Sequence, residues 1–120
     1  MSIKSTTIQN GTIAIIDIKG SLIGDDLTEG FRREVSDYLE QGNKSLIINL
    51  QRLNYMNSSG LGALIAAHTS YAKNGGEIRL VGVTKNVQNL LVVTRLIEIF
   101  DVYDKIEEAI KSFSEKKSKK

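Results

Sequence analysis

Apolar and polar positions follow two rhythms along this chain. Residues 2–9 are rich in β-formers and run into Asn10-Gly11. Asn-Gly between two such runs is a strong hairpin signal, because both residues accept positive φ. Thr12–Lys19, TIAIIDIK, is the second predicted strand. Its isoleucines fall on both faces, so it reads as covered on both sides. Gly20–Gly24 is expected to be a loop. Asp26 with Glu29 has capping-box spacing, and Leu27, Phe31, Val35, Tyr38 and Leu39 then repeat at helical spacing up to Gly42.

The same alternation continues. Lys44–Leu50 is a short apolar run of the parallel-strand kind, followed by a loop and then Ser58-Ser59-Gly60. Leu61, Leu64, Ile65, His68 and Ala72 share one helical face, which ends at Asn74-Gly75-Gly76. Glu77–Val81 is the next strand. Thr84 caps a short helix with Val87, Leu90 and Leu91 turned inward. Ile99–Tyr103 is the last strand. Asp104 and Glu107 again have capping-box spacing, ahead of a stripe of Ile106, Ala109, Ile110 and Phe113. The predicted order is β-β-α-β-α-β-α-β-α. It implies an α/β single domain, a mixed and mostly parallel five-stranded sheet with about four helices and right-handed crossovers. Sites in such sheets gather beyond the carboxyl ends of the strands, where the Leu22–Asp26 loop and the YMNSSG junction both lie.

Composition removes several kinds of chemistry. The chain has 120 residues, no cysteine and one histidine, which excludes disulfides, thiolate metal sites, cysteine catalysis and a histidine-rich metal centre. The N-terminus has no apolar h-region and no run approaches ~20 apolar residues, so neither a signal peptide nor a membrane span is expected, and a cytoplasmic location is. The net charge of +2 conceals an asymmetry. The segment from Lys111 carries +4 and leaves residues 1–110 at −2. A folded domain over 1–113 with a lysine-rich tail over 114–120 follows. The lysines lack interleaved arginine or aromatic residues, so the tail reads as a solubilising terminus, with no nucleic-acid partner. No sustained exposed apolar stripe is evident, and the free protein reads as a monomer.

The paired serines raise three possibilities: a nucleophile, a helix cap or a modification switch. A nucleophile elbow needs glycine two residues before the serine, and Met56 stands there. The one histidine, His68, lies ten residues on, about 15 Å along the same helix, too far to serve Ser58 as a base. His68 therefore reads as a structural residue. No phosphate-loop signature is present, so nucleotide binding at Ser58–Gly60 rests only on the helix N-terminus. Asp25-Asp26 are adjacent and do not converge on one point of a helix face. They read as a helix start or part of a partner surface. Ser58 or Ser59 is expected to be the N-cap or the first residue of its helix. A phosphate there would bring about −1.5 to −2 charge to the positive end of the helix dipole, altering partner binding without unfolding the domain.

GSLIGDDL, SLIINLQRLNYMNSSGLGALIAAHTSYAKNGGEIRLVGV and LLVVTRLIEIFDVYDKIEEAI together resemble the STAS domain of bacterial anti-sigma-factor antagonists, over nearly the whole chain and in order. The resemblance implies a non-enzymatic binding protein without cofactor or metal. Its partners would be a serine-kinase anti-sigma factor of histidine-kinase-like ATPase fold and a PP2C-type phosphatase. Ser58 would be the phosphoacceptor, with Ser59 and Gly60 shaping the helix start. Gly24, Asp25, Asp26, Asn57, Ser58, Ser59 and Gly60 would form the partner-binding set. Two positions depart from the family pattern. Asn57 replaces the usual aspartate before the serine, and Ile23 stands where an acidic residue is common. The resemblance is therefore compatible with other STAS roles, in a stressosome-like scaffold, a polarity or flagellar regulator, or a lipid-transport complex.

Overall fold

The computed structural model describes residues 2–118, with side chains through Ser114. The expected lysines of the tail, at 116, 117, 119 and 120, lie outside the described side chains. Ser2–Ile8 (β1) and Ile13–Leu22 (β2) form the antiparallel hairpin. Its turn is longer than the two-residue type the Asn-Gly pair predicts. Gln9, Asn10 and Gly11 all adopt positive φ, and pairing resumes at Ile8 with Ile13.

Asp26–Glu40 (α1), Ser45–Asn49 (β3), Leu53–Met56 (β4), Ser58–Lys73 (α2), Glu77–Val81 (β5), Lys85–Val93 (α3), Asp101–Tyr103 (β6) and Ile106–Ser118 (α4) complete the order. A single 3-10 turn at Leu96–Glu98 precedes β6. The sheet has six strands in place of the five expected, in the order β1-β2-β3-β5-β6, with β4 paired to β2. All pairings but the first are parallel. The extra strand arises because β2 continues through residues expected to be a loop. Beyond a register shift at Gly20/Ser21, its end pairs Ser21 with Tyr55 and Leu22 with Met56.

Helices α1, α2 and α3 cover one face of the sheet. Ile16, Ile18, Leu46, Ile48 and Leu80 meet Phe31, Val35, Leu64, Tyr71 and Leu91 there in the main core. Helix α4 covers part of the other face, setting Ala109 and Phe113 on Ile13, Ile15, Ile47 and Val81. Arg79 lies under α4 and is 4% exposed. A buried guanidinium is tolerable only when paired. It meets Glu77 at 2.7 Å and Asp101 at 3.3 Å, donates to Ser112 Oγ at 3.0 Å, and stacks over the Phe113 ring.

The end of the sheet away from the serines is closed by a polar clamp. Asn43 is buried, donates from Nδ2 to the Thr12 carbonyl at 3.2 Å, and accepts from the Tyr71 hydroxyl at 2.9 Å. Burial holds the Tyr71 phenol above its ordinary pKa, with the neighbouring Tyr38 adding to the shift.

Candidate functional site

The end of the sheet beyond the carboxyl ends of β2 and β4 is where the serines lie. β4 ends at Met56, the Asn57 N–H donates to the Leu22 carbonyl at 3.2 Å, and α2 begins at Ser58. Ser58 is thus the first helical residue, as expected. The cap is Asn57, and neither serine fills that role. Asn57 has extended backbone, and its Oδ1 accepts from the Gly60 N–H at 3.1 Å. That is the standard way of satisfying one of the helix's orphan donors. Released from capping, both serines are exposed, and neither hydroxyl bonds another described residue.

Two glycines let the segments come this close. A Cβ on Gly60 would lie 2.2 Å from the Leu22 carbonyl oxygen, so the first turn of α2 rests directly on the backbone of β2. Gly24 has φ +91°, and a Cβ there would lie 2.9 Å from Ser59 Cβ. The β2–α1 loop is therefore seated on the start of α2. Within that loop the Gly24 N–H donates to Thr28 Oγ1 at 2.9 Å, and Thr28 is buried. Nothing in the local sequence singles out Thr28, because its role depends on how the loop folds back.

The remaining expected residues fall as follows. Asp25 occupies the cap position of α1 without a side-chain cap bond, and its Oδ1 is buried with no hydrogen-bond partner among the described residues. The Asp26–Glu29 capping box does not form. Glu29 N–H instead donates to the Asp25 carbonyl at 3.0 Å, and Asp26 is exposed in the first turn of α1. The structure thus brings Gly24, Asn57, Ser59 and Gly60 into direct contact or hydrogen bonding at one end. Ser58 is next to them in the chain, and Asp25 and Asp26 follow Gly24 at the start of α1. His68 packs edge-on against Phe100 at 5.2 Å between ring centres.

A groove of about 330 Å³ opens beside this junction between β4 and α3, lined by Tyr55, Met56, Asn86, Asn89, Leu90 and Val93. Tyr55 is 48% and Val93 80% exposed at its mouth. The sequence did not single out this groove, since one wall is the unexpected strand β4. No group of three or more His, Cys, Asp or Glu among the described residues is arranged to hold a metal. No described helix is long and apolar enough to cross a membrane.

A mixed, mostly parallel sheet with an exposed serine at the head of a helix defines a class of small α/β domain in which the junction is offered to solvent. The chain belongs to the STAS domain family, whose pattern matches residues 4–109. It is 32% identical over 59 residues to the anti-sigma F factor antagonist of Paenibacillus polymyxa, covering 49% of this chain and 50% of that protein. The chain spans about half the length of that curated relative. A putative anti-sigma factor antagonist from Thermotoga maritima superposes with a TM-score of 0.84 at 23% identity, over 92% of each chain. The phosphorylated form of the Bacillus cell fate determinant SpoIIAA superposes at 0.77 with 21% identity, over 93% of this chain and 99% of that one. These two structural likenesses carry the fold.

Proposed function

We propose that this chain is an anti-sigma factor antagonist, a cytoplasmic binding module without catalytic activity or cofactor. It captures a serine-kinase anti-sigma factor through the Ser58 end and is released when that serine is phosphorylated. A PP2C-type phosphatase restores the binding form. The observation that carries the reading is an exposed, unengaged Ser58 hydroxyl at the first position of α2, freed by Asn57 from the work of capping. The relatives named above, and a structural neighbour known in a phosphorylated form, support it.

The physical consequence of a phosphate there is selective. Its charge meets the positive end of α2, which stabilises an anion by about 0.3–1 kcal/mol, so the fold accepts it. A partner docked over the junction meets instead a new dianion that must be desolvated, and the contact is lost. Gly24, Asp25, Asp26, Asn57, Ser59 and Gly60 complete the docking face around Ser58. Incubation with the cognate serine-kinase anti-sigma factor and ATP, followed by peptide mass mapping, should place one phosphate on Ser58 and none in Ser58→Ala. A second reading is an interaction subunit that is never phosphorylated, favoured by the neutral Asn57 beside the serine. Absence of phosphate on Ser58, with binding unaffected by Ser58→Asp, would decide for it.

A further inference from the structure

The β2–α1 loop and the first turn of α2 are joined by one side chain. Asn57 Nδ2 donates to the Ile23 carbonyl at 3.1 Å while Oδ1 accepts from the Gly60 N–H at 3.1 Å. The two partners fix the orientation of the carboxamide, since turning it over would set donor against donor and acceptor against acceptor. The contact with Gly60 needs only an acceptor, which serine, threonine or aspartate supplies equally well. The contact with Ile23 needs a donor, and an ionised carboxylate has none. These partners lie 34 residues apart in the chain, so the bond is tertiary and does not belong to the helix end alone. The loop it holds carries Ile23, an isoleucine 43% exposed. Next to it, Gly24 is pressed against Ser59.

We infer that Asn57 is a positioning residue, whose amide donor straps the Ile23–Asp25 loop onto α2 so that Ile23 and Ser58 are presented as one preset face. A face ordered beforehand loses less conformational freedom when a partner docks. An aspartate at this position would keep the helix cap and release the loop, placing a carboxylate against a carbonyl oxygen. The choice of asparagine thus separates two tasks that one side chain performs here. The inference deepens the Ser58 reading by naming what holds the rest of that face in place.

Amide hydrogen exchange on the free 120-residue chain tests it, comparing the native protein with Asn57→Asp, Asn57→Ser and Asn57→Ala. Asp retains the acceptor for Gly60 and has no donor, and Ser replaces the two carboxamide atoms that meet Gly60 and Ile23 by one hydroxyl oxygen on a shorter side chain. The Gly24 amide, which donates to Thr28 Oγ1 inside the strapped loop, should exchange roughly five- to tenfold faster in both, because the loop opens more readily without the Asn57–Ile23 bond, with the Gly60 amide unchanged. Asn57→Ala should accelerate both amides. A residue that only caps the helix would move Gly60 and leave Gly24 alone. Unchanged Gly24 exchange in Asn57→Asp and Asn57→Ser overturns the inference. Acceleration in Asn57→Asp alone also overturns it, because added charge and not the lost donor would then be the cause. No partner enters the measurement, so its failure leaves the Ser58 reading standing, and an unphosphorylated Ser58 leaves the strap measurable.

Discussion

Asn43 and Asn57 stand at opposite ends of the sheet, and each uses both halves of its carboxamide. Asn43 joins the Thr12 carbonyl to the Tyr71 hydroxyl in a buried setting. Asn57 joins the Ile23 carbonyl to the Gly60 N–H at a half-exposed one. The bonds are alike and the surroundings differ. Where water is excluded, losing a partner leaves polar groups unsatisfied at full cost. Where water reaches, it replaces the lost partner, and the bond contributes mainly order. The Asn43 end therefore holds the fold, and the Asn57 end arranges a surface.

The largest expected effect tests whether that division is complete. Gly60 belongs to the surface end, yet its backbone lies on β2. Gly60→Ala would force a methyl within 2.2 Å of the Leu22 carbonyl oxygen and separate α2 from the strand. Denaturant unfolding should show a loss of about 3 kcal/mol, the upper range for overpacking. A loss below about 0.5 kcal/mol would mean that this junction yields easily.

Asn43→Ala comes next. It strands the buried Tyr71 hydroxyl and removes the bond to the Thr12 carbonyl, and unfolding should be easier by about 2 kcal/mol. Exchange at Gly24, at the far end, should not change. A smaller loss than in Asn57→Ala, whose cap contributes about 1 kcal/mol, would invert the comparison.

The same contrast shows what the sequence could disclose. The α1 stripe with Phe31 and Val35 faces the core as its spacing predicts, because that signal is local and repeats, whereas in α2 Leu61 and Leu64 face inward as expected but Ala72 is exposed and Ala67 and Tyr71 take the buried places. Thr84 was readable as a cap for the same reason, and it does accept from Val87 N–H. Strand β4 was not readable. Four residues, LNYM, carry little alternation, and their pairing depends on β2 running past Gly20 through a register shift. The identity of the cap at α2 was hidden for a related reason. Two serines and an asparagine are all competent caps, and what selects Asn57 is the end of β4 and a carbonyl 34 residues earlier. That a serine opens this helix was accessible from the local pattern, which left open which of the two it was and whether it capped. The groove beside it was not, since one of its walls is the unforeseen strand.

The smallest effect on the fold and the largest on binding should coincide at Ser58. Its hydroxyl holds nothing in place, so phosphorylating it should not lower folding stability and should raise it by at most about 1 kcal/mol. The direct measurement is the affinity of the cognate serine-kinase anti-sigma factor for the unmodified chain and for the chain bearing phosphoserine at position 58. The account predicts weakening of roughly a hundredfold or more at undiminished folding stability. Equal affinity for the two forms would contradict it.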